Sequence, residues 1–345
     1  MSRQWFATGA VVSAVVVAMA ATPEAGQQAS GARATTPARA ATAKPYVPPR
    51  TPWGDPDIQG GWTNVSENGI PMEKPGNLGE KQLEEIEDAE LADLIRERNE
   101  RAAANAAGIG GRETGAGPTH WYEHYNAKNS RAWMVSDPPD GRIPPLTAAA
   151  QARTTAGRGR GAGGGGGGEG GRADSWLDRS LYDRCITRGF PGSMTPAIYG
   201  NAYDITQAPG VVAIRYEMIH ETRIIPLDDS PRPNARPHMG IARGRWEGDT
   251  LVVESTNFRA PFCNGSPNLR LVERFKPVAK DKIEWSLTVI DPETWTKPWT
   301  YGMQLTQDPE QTLFEYACHE GNYAMRNSLS AARAEVAAAA KTGQK

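Results

Sequence analysis

Leu269-Arg-Leu-Val-Glu-Arg-Phe-Lys-Pro-Val-Ala-Lys-Asp-Lys-Ile-Glu-Trp-Ser-Leu-Thr-Val-Ile290 reads as two strands, Leu269–Val278 and Lys282–Ile290, that turn at Lys280-Asp281. Its β-branched and aromatic residues suit a pleated, half-buried surface. The same texture extends both ways. Val211–Met218, Thr222–Leu227, Leu251–Asn257, Trp299–Thr306 and Thr312–His319 read as further strands. Glu247-Gly-Asp249, Asn264-Gly-Ser266 and Gln307-Asp-Pro309 punctuate them, and Trp246-Glu-Gly-Asp-Thr250 is the clearest hairpin. Short strands without helices between them predict a mainly β, antiparallel barrel-like domain over residues 174–341, closed by a C-terminal helix from Met325 to Lys341.

The rest of the chain is organised around that domain. Residues 1–21, MSRQWFATGAVVSAVVVAMAA, carry one basic residue, an apolar run and small residues at Ala18, Ala20 and Ala21. This is the pattern of a secretory signal peptide, too short in its apolar part to span a membrane comfortably. Residues 22–50 read as a disordered linker. Residues 51–150 form an N-terminal arm with a helix over 78–107, whose Leu83, Ile86, Leu91, Leu94 and Ile95 make an apolar stripe. Residues 151–173 contain a glycine run that reads as a disordered insertion; with no Lys-Ser/Thr after it, it is not a phosphate loop.

Charge and cysteines bound the function. The chain holds 38 Lys and Arg against 40 Asp and Glu, and the leader removes one Arg, leaving 37 against 40. Without a basic excess, nucleic acid is not an expected partner. The expected localisation is periplasmic or secreted, with no membrane span once the leader is gone. Three cysteines in an oxidising compartment predict one disulfide, and the polar motifs around them favour Cys185–Cys318 over pairings with Cys263.

The β reading ends in Cys318-His319-Glu320-Gly321-Asn322-Tyr323, the densest cluster of chemistry-bearing side chains in the chain. His220, with Glu217 and Arg223 nearby in sequence, supplies a second imidazole. Two imidazoles and a carboxylate suffice for general acid–base work or for part of a metal site. His220, His319, Glu217 and Glu320 are therefore the candidate catalytic residues, with His220 and His319 as candidate ligands of a divalent metal. Arg188 and Arg223 are candidate anion clamps, and Asn322, Tyr323, Trp121 and Tyr125 candidate substrate contacts. The competing reading is a structural polar network around a disulfide. Alternation would point Arg215, Glu217 and Glu315 into a polar lumen, or else onto a solvated outer face. His120-Trp-Tyr-Glu-His124 has the spacing of an inverted zincin motif but lacks a helical context; its aromatic residues suit a sugar or aromatic ring as well.

Pro52-Trp-Gly-Asp-Pro-Asp-Ile-Gln-Gly-Gly-Trp62, Asp183-Arg-Cys-Ile-Thr-Arg-Gly189, Arg243-Gly-Arg-Trp-Glu-Gly-Asp-Thr-Leu-Val-Val253 and Tyr316-Ala-Cys-His-Glu-Gly-Asn-Tyr323 together are similar to a group of uncharacterised exported bacterial β-rich proteins. Gly60-Gly-Trp62 before an up-and-down strand series also resembles lipocalin- and calycin-type barrels. Neither resemblance carries a residue role. The expected function is an exported enzyme acting on a small polar or aromatic molecule, such as a sugar derivative, by proton transfer of lyase, isomerase or hydrolase type. No nucleotide cofactor is expected, since no fingerprint for one is present. The alternative is a non-catalytic barrel that binds a small molecule.

Overall fold

The computed structural model describes residues 46–109, 127–157, 175–197, 199–229, 231–259, 262, 265–308 and 313–342. The expected leader, Trp121, Tyr125, the His120–His124 motif, Cys263 and the glycine run lie outside these residues.

Ten antiparallel strands make one sheet. They are β1 (Gly60–Thr63), β2 (Val135–Asp137), β3 (Ala202–Ala208), β4 (Val211–Tyr216), β5 (Thr222–Pro226), β6 (Ile241–Glu247), β7 (Thr250–Thr256), β8 (Arg270–Ala279), β9 (Lys282–Ile290) and β10 (Trp299–Gln307). The order is β5-β4-β3-β1-β10-β9-β8-β7-β6, with β2 paired to β10 beside this path. The two edges come together: a Cβ on Gly244 of β6 would lie 2.9 Å from Ile225 and 2.7 Å from Leu227 at the end of β5. The sheet thus curls into a nearly closed barrel, and a glycine lets its edge strands approach.

Alternation fills the barrel. Leu271 and Phe275 of β8, Ile283, Trp285, Leu287 and Val289 of β9, and Trp299, Tyr301, Met303 and Leu305 of β10 are all buried. Aromatic rings interlock inside, with Trp285 edge-on to Tyr301 at 5.6 Å and Tyr203 edge-on to Tyr216 at 5.7 Å. The expected polar lumen lined by Arg215, Glu217 and Glu315 is not formed. Arg215 and Glu315 are exposed, and Glu315 lies in no strand. The charges inside are instead Arg223 of β5 and Glu273 of β8, joined at 2.6 Å.

Helix α1 (Asp88–Ile109) starts ten residues later than its apolar pattern suggests. Gly79 at φ 56° and the capping box of Gln82 with Glu85 break the earlier part into two short 3-10 turns. Leu83, Ile86, Leu91 and Leu94 still bury against Leu78 and Trp133, forming a satellite core under the arm. Helix α2 (Ala148–Gly157) occupies the start of the segment expected to be disordered, and α3 (Ala324–Thr342) is the expected C-terminal helix. The strand expected over Thr312–His319 is absent from its described part. Leu313–Ala317 has no ladder partner and Cys318–Gly321 is a turn.

Candidate functional site at the stapled end of the barrel

One end of the barrel gathers the ends of β4 and β7 and the starts of β3, β5 and β8. Segment 175–197 lies across it as a plug. Phe190 is buried there, its ring 3.9 Å from the Arg223 guanidinium and stacked on Phe258 at 6.4 Å. The Met194 carbonyl accepts from the Tyr203 hydroxyl at 2.9 Å and from Asn64 Nδ2 at 2.7 Å. The Thr187 hydroxyl donates to Glu221 Oε2 at 2.6 Å. Burial pushes the Glu221 carboxyl up, against the opposing pull of Thr187 and the Arg188 N–H. The disulfide Cys185–Cys318, with Cα atoms 5.7 Å apart, staples this plug to the C-terminal segment, as the cysteine motifs predicted.

The non-glycine residues with positive φ also collect here: Cys185 in the plug, Ile219 and His220 in the β4–β5 turn, and Asn257 after β7. Such backbone is sparsely populated by L-residues and is held only where surroundings over-determine it. The plug contacts above supply that constraint.

The expected site residues divide into two sets. His319 and Asn322 line a cleft of about 350 Å³ together with Cys185, Trp176, Asp183, Arg184, Ile186 and Met325. Arg184 lies over the Trp176 ring at 4.5 Å. Asn322 Nδ2 reaches Cys185 Sγ at 3.4 Å, while its oxygen accepts the Ala324 N–H at the start of α3. Outside this cleft fall Glu320 and Tyr323, both exposed, and His220, exposed on its left-handed turn. Glu217 accepts the Ala202 N–H at 3.3 Å and so ties the β4–β5 turn to β3. Arg188 points back into the plug, donating to the Thr195 carbonyl at 3.4 Å.

Arg223 corrects the expectation of an anion clamp. Its guanidinium is sealed under Phe190 and committed to Glu273, the Tyr216 hydroxyl and Ser255 Oγ, so no face is left for a substrate. Among the described residues no group of three or more His, Cys, Asp and Glu is placed to hold a metal, at His220 and His319 included.

Other residues at this end escaped the sequence reading. Trp176 comes shortly after the glycine run, behind Arg172-Ala-Asp-Ser175, and carries no motif of its own. Arg184 had a signal, since it flanks Cys185, but not one that told it from Arg188. His238 and Arg259 sit in loops with no pattern. His238 is half-buried, and burial, followed by the charges of Arg259 and Arg184, holds its imidazole below the ordinary 6.5. Compared with protein families, curated proteins and solved structures, the chain has no match.

Proposed function

We propose that the protein is a β-barrel that binds a small polar, ring-bearing molecule in the cleft beside the Cys185–Cys318 staple. The observation that carries this reading is the convergence of an exposed indole, a guanidinium stacked on it, an imidazole and an amide on one concavity of ligand size: Trp176, Arg184, His319 and Asn322 around about 350 Å³. An aromatic face offers area and the three polar groups fix orientation. The disulfide suits an oxidising compartment, which is where we place the protein. The test is a thermal-shift and calorimetric screen of sugar derivatives and aromatic acids against wild type and Trp176→Ala. Saturable binding that Trp176→Ala weakens about tenfold or more, with circular dichroism unchanged, supports the cleft. Ligands that bind both proteins equally place the site elsewhere.

A second reading, proton-transfer catalysis, draws on Asp183 and His319 lining the same cleft. Product analysis separates the two: a catalyst converts a bound ligand and loses that turnover on His319→Ala, while a binder releases its ligand unchanged.

A further inference from the structure

The barrel has a second concavity, at the end opposite the staple. There β8 and β10 finish and β1 and β9 begin, with Ala279 level with Lys282 and Trp62 level with Gln307. Residues 46–59 cross this end as a proline-rich strap. Arg50 pairs with Asp249 of the β6–β7 turn at 2.5 Å. Gln207 of β3 grips the strap with both ends of its amide, accepting the Ile58 N–H at 2.8 Å and donating to the Pro56 carbonyl at 3.1 Å. The Asp57 N–H closes back on the Pro49 carbonyl at 2.8 Å. These anchors and the fixed φ of the prolines set the strap's shape before any ligand arrives.

Beneath the strap lies a cavity of about 200 Å³ whose floor is Ile58, Trp62 and Ile283, all buried. It falls below the roughly 300–1,000 Å³ of sites for drug-sized ligands and so suits a smaller molecule. Three polar side chains line it with bonding capacity left over. Asp57 accepts the Gln59 N–H and Nε2 through Oδ1 alone. Among the described residues no hydrogen bond engages Asp57 Oδ2, the Lys280 ammonium or the Gln307 side-chain amide. Gln307 Nε2 stands 2.8 Å from where a Gly60 Cβ would lie, so this glycine, at φ 121°, leaves the room that the amide occupies. Asp57 and Lys280 share the cavity as opposite charges, yet they do not pair with each other. A carboxylate and an ammonium kept apart across one concavity complement a molecule that carries both charges itself.

We propose that this cavity is a second binding site, for a small zwitterion of the α-amino acid type. The ligand's ammonium sits on Asp57, its carboxylate on Lys280 and the Gln307 amide, and its apolar side chain on the floor. Hydrogen bonds between ionised partners are the strong ones, and the lysine's three donors meet a carboxylate without demanding a planar fit. The site is independent of the cleft at the staple.

The experiment is calorimetric titration of the full chain with L-leucine, L-leucinamide, N-acetyl-L-leucine and glucose, repeated on Asp57→Asn, Lys280→Gln and Trp176→Ala. Leucine is expected to bind about tenfold or more tightly than either singly charged analogue, and each of the first two variants to lower its affinity about tenfold. Trp176→Ala should leave that affinity unchanged. Lys280 is exposed, so its variant folds even where Asp57→Asn does not. Leucinamide or N-acetyl-leucine binding as tightly as leucine overturns the zwitterion, and glucose doing so overturns the role of charge. Leucine affinity that survives Lys280→Gln, or falls in Trp176→Ala, places the ligand elsewhere and overturns the site, as does binding of none of the four.

Discussion

Arg223 and Glu273 meet inside the barrel at 2.6 Å, with side chains 2 % and 0 % exposed. Trp285 Nε1 donates to the same carboxylate at 3.1 Å, and Arg223 donates to the Tyr216 and Ser255 hydroxyls. Burial pulls the guanidinium down, but Glu273 outweighs it and holds Arg223 above its ordinary value, so the guanidinium stays charged. Removing one member strands the other in an apolar interior. Glu273→Gln is expected to cost about 3–5 kcal/mol in urea unfolding, while Arg223→Met combined with Glu273→Leu costs less than either single change. Single variants that each cost under about 1 kcal/mol would mean that the pair is solvated in a way its burial denies. Sequence reading missed this because the strand breaks the binary rule. Along β5, Arg223 and Ile225 face inward and Ile224 is 57 % exposed. Polarity alone puts Ile224 in and Arg223 out; only the register with β4 and the partner on β8 reveal the reverse.

At the scale of elements, regular strands were legible and irregular ones were not. β9 runs over Lys282–Ile290 as expected, because charged or small residues alternate there with Ile283, Trp285, Leu287 and Val289. β1 has four residues, two of them glycine, and takes its extended form from pairing with β3 and β10 on either side. Leu313–Ala317 alternates as well as many strands, yet no neighbour offers a ladder, and Phe314 stays 68 % exposed. What holds this segment is covalent: the Cys318 staple, supported by the Tyr182 and Tyr316 hydroxyls 3.1 Å apart. Burial pushes the Tyr316 phenol up to about 12, so that contact stays neutral across the physiological range. Cysteines 133 residues apart close a long loop, which in the chain-entropy account stabilises by about 5 kcal/mol. Changing both Cys185 and Cys318 to serine should lower the unfolding free energy by up to that amount. Proteases should then cut within residues 313–342 before they touch the barrel strands. Simultaneous digestion of barrel and tail would show that the staple holds the whole fold rather than this end of it.

For the whole molecule, the decisive property is that the barrel is full. A hollow barrel would put the ligand in its lumen; here Phe275, Trp285, Leu287 and Tyr301 occupy that volume, and a concavity with mixed polar and aromatic lining lies at the stapled end instead. The class of fold was readable from strand spacing, but whether the lumen is empty depends on how side chains from opposite walls interdigitate, which no single strand records. Of the expected site, His319, Asn322 and the disulfide were legible because they share a dense motif. Trp176 was not, since only the folded plug brings its ring against Arg184. A substitution tests the filled interior directly. Phe275→Ala removes a buried ring between β7 and β9, where Phe275 is level with Leu251 and Trp285. It is expected to cost about 3–5 kcal/mol and to leave an apolar void. Such a void stays dry and accepts a small apolar guest. Benzene should therefore raise the melting temperature of the variant and leave that of wild type unchanged. Equal stabilisation of both would mean that the wild-type lumen already admits ligands, and the search for the binding site would move from the stapled end to the barrel interior.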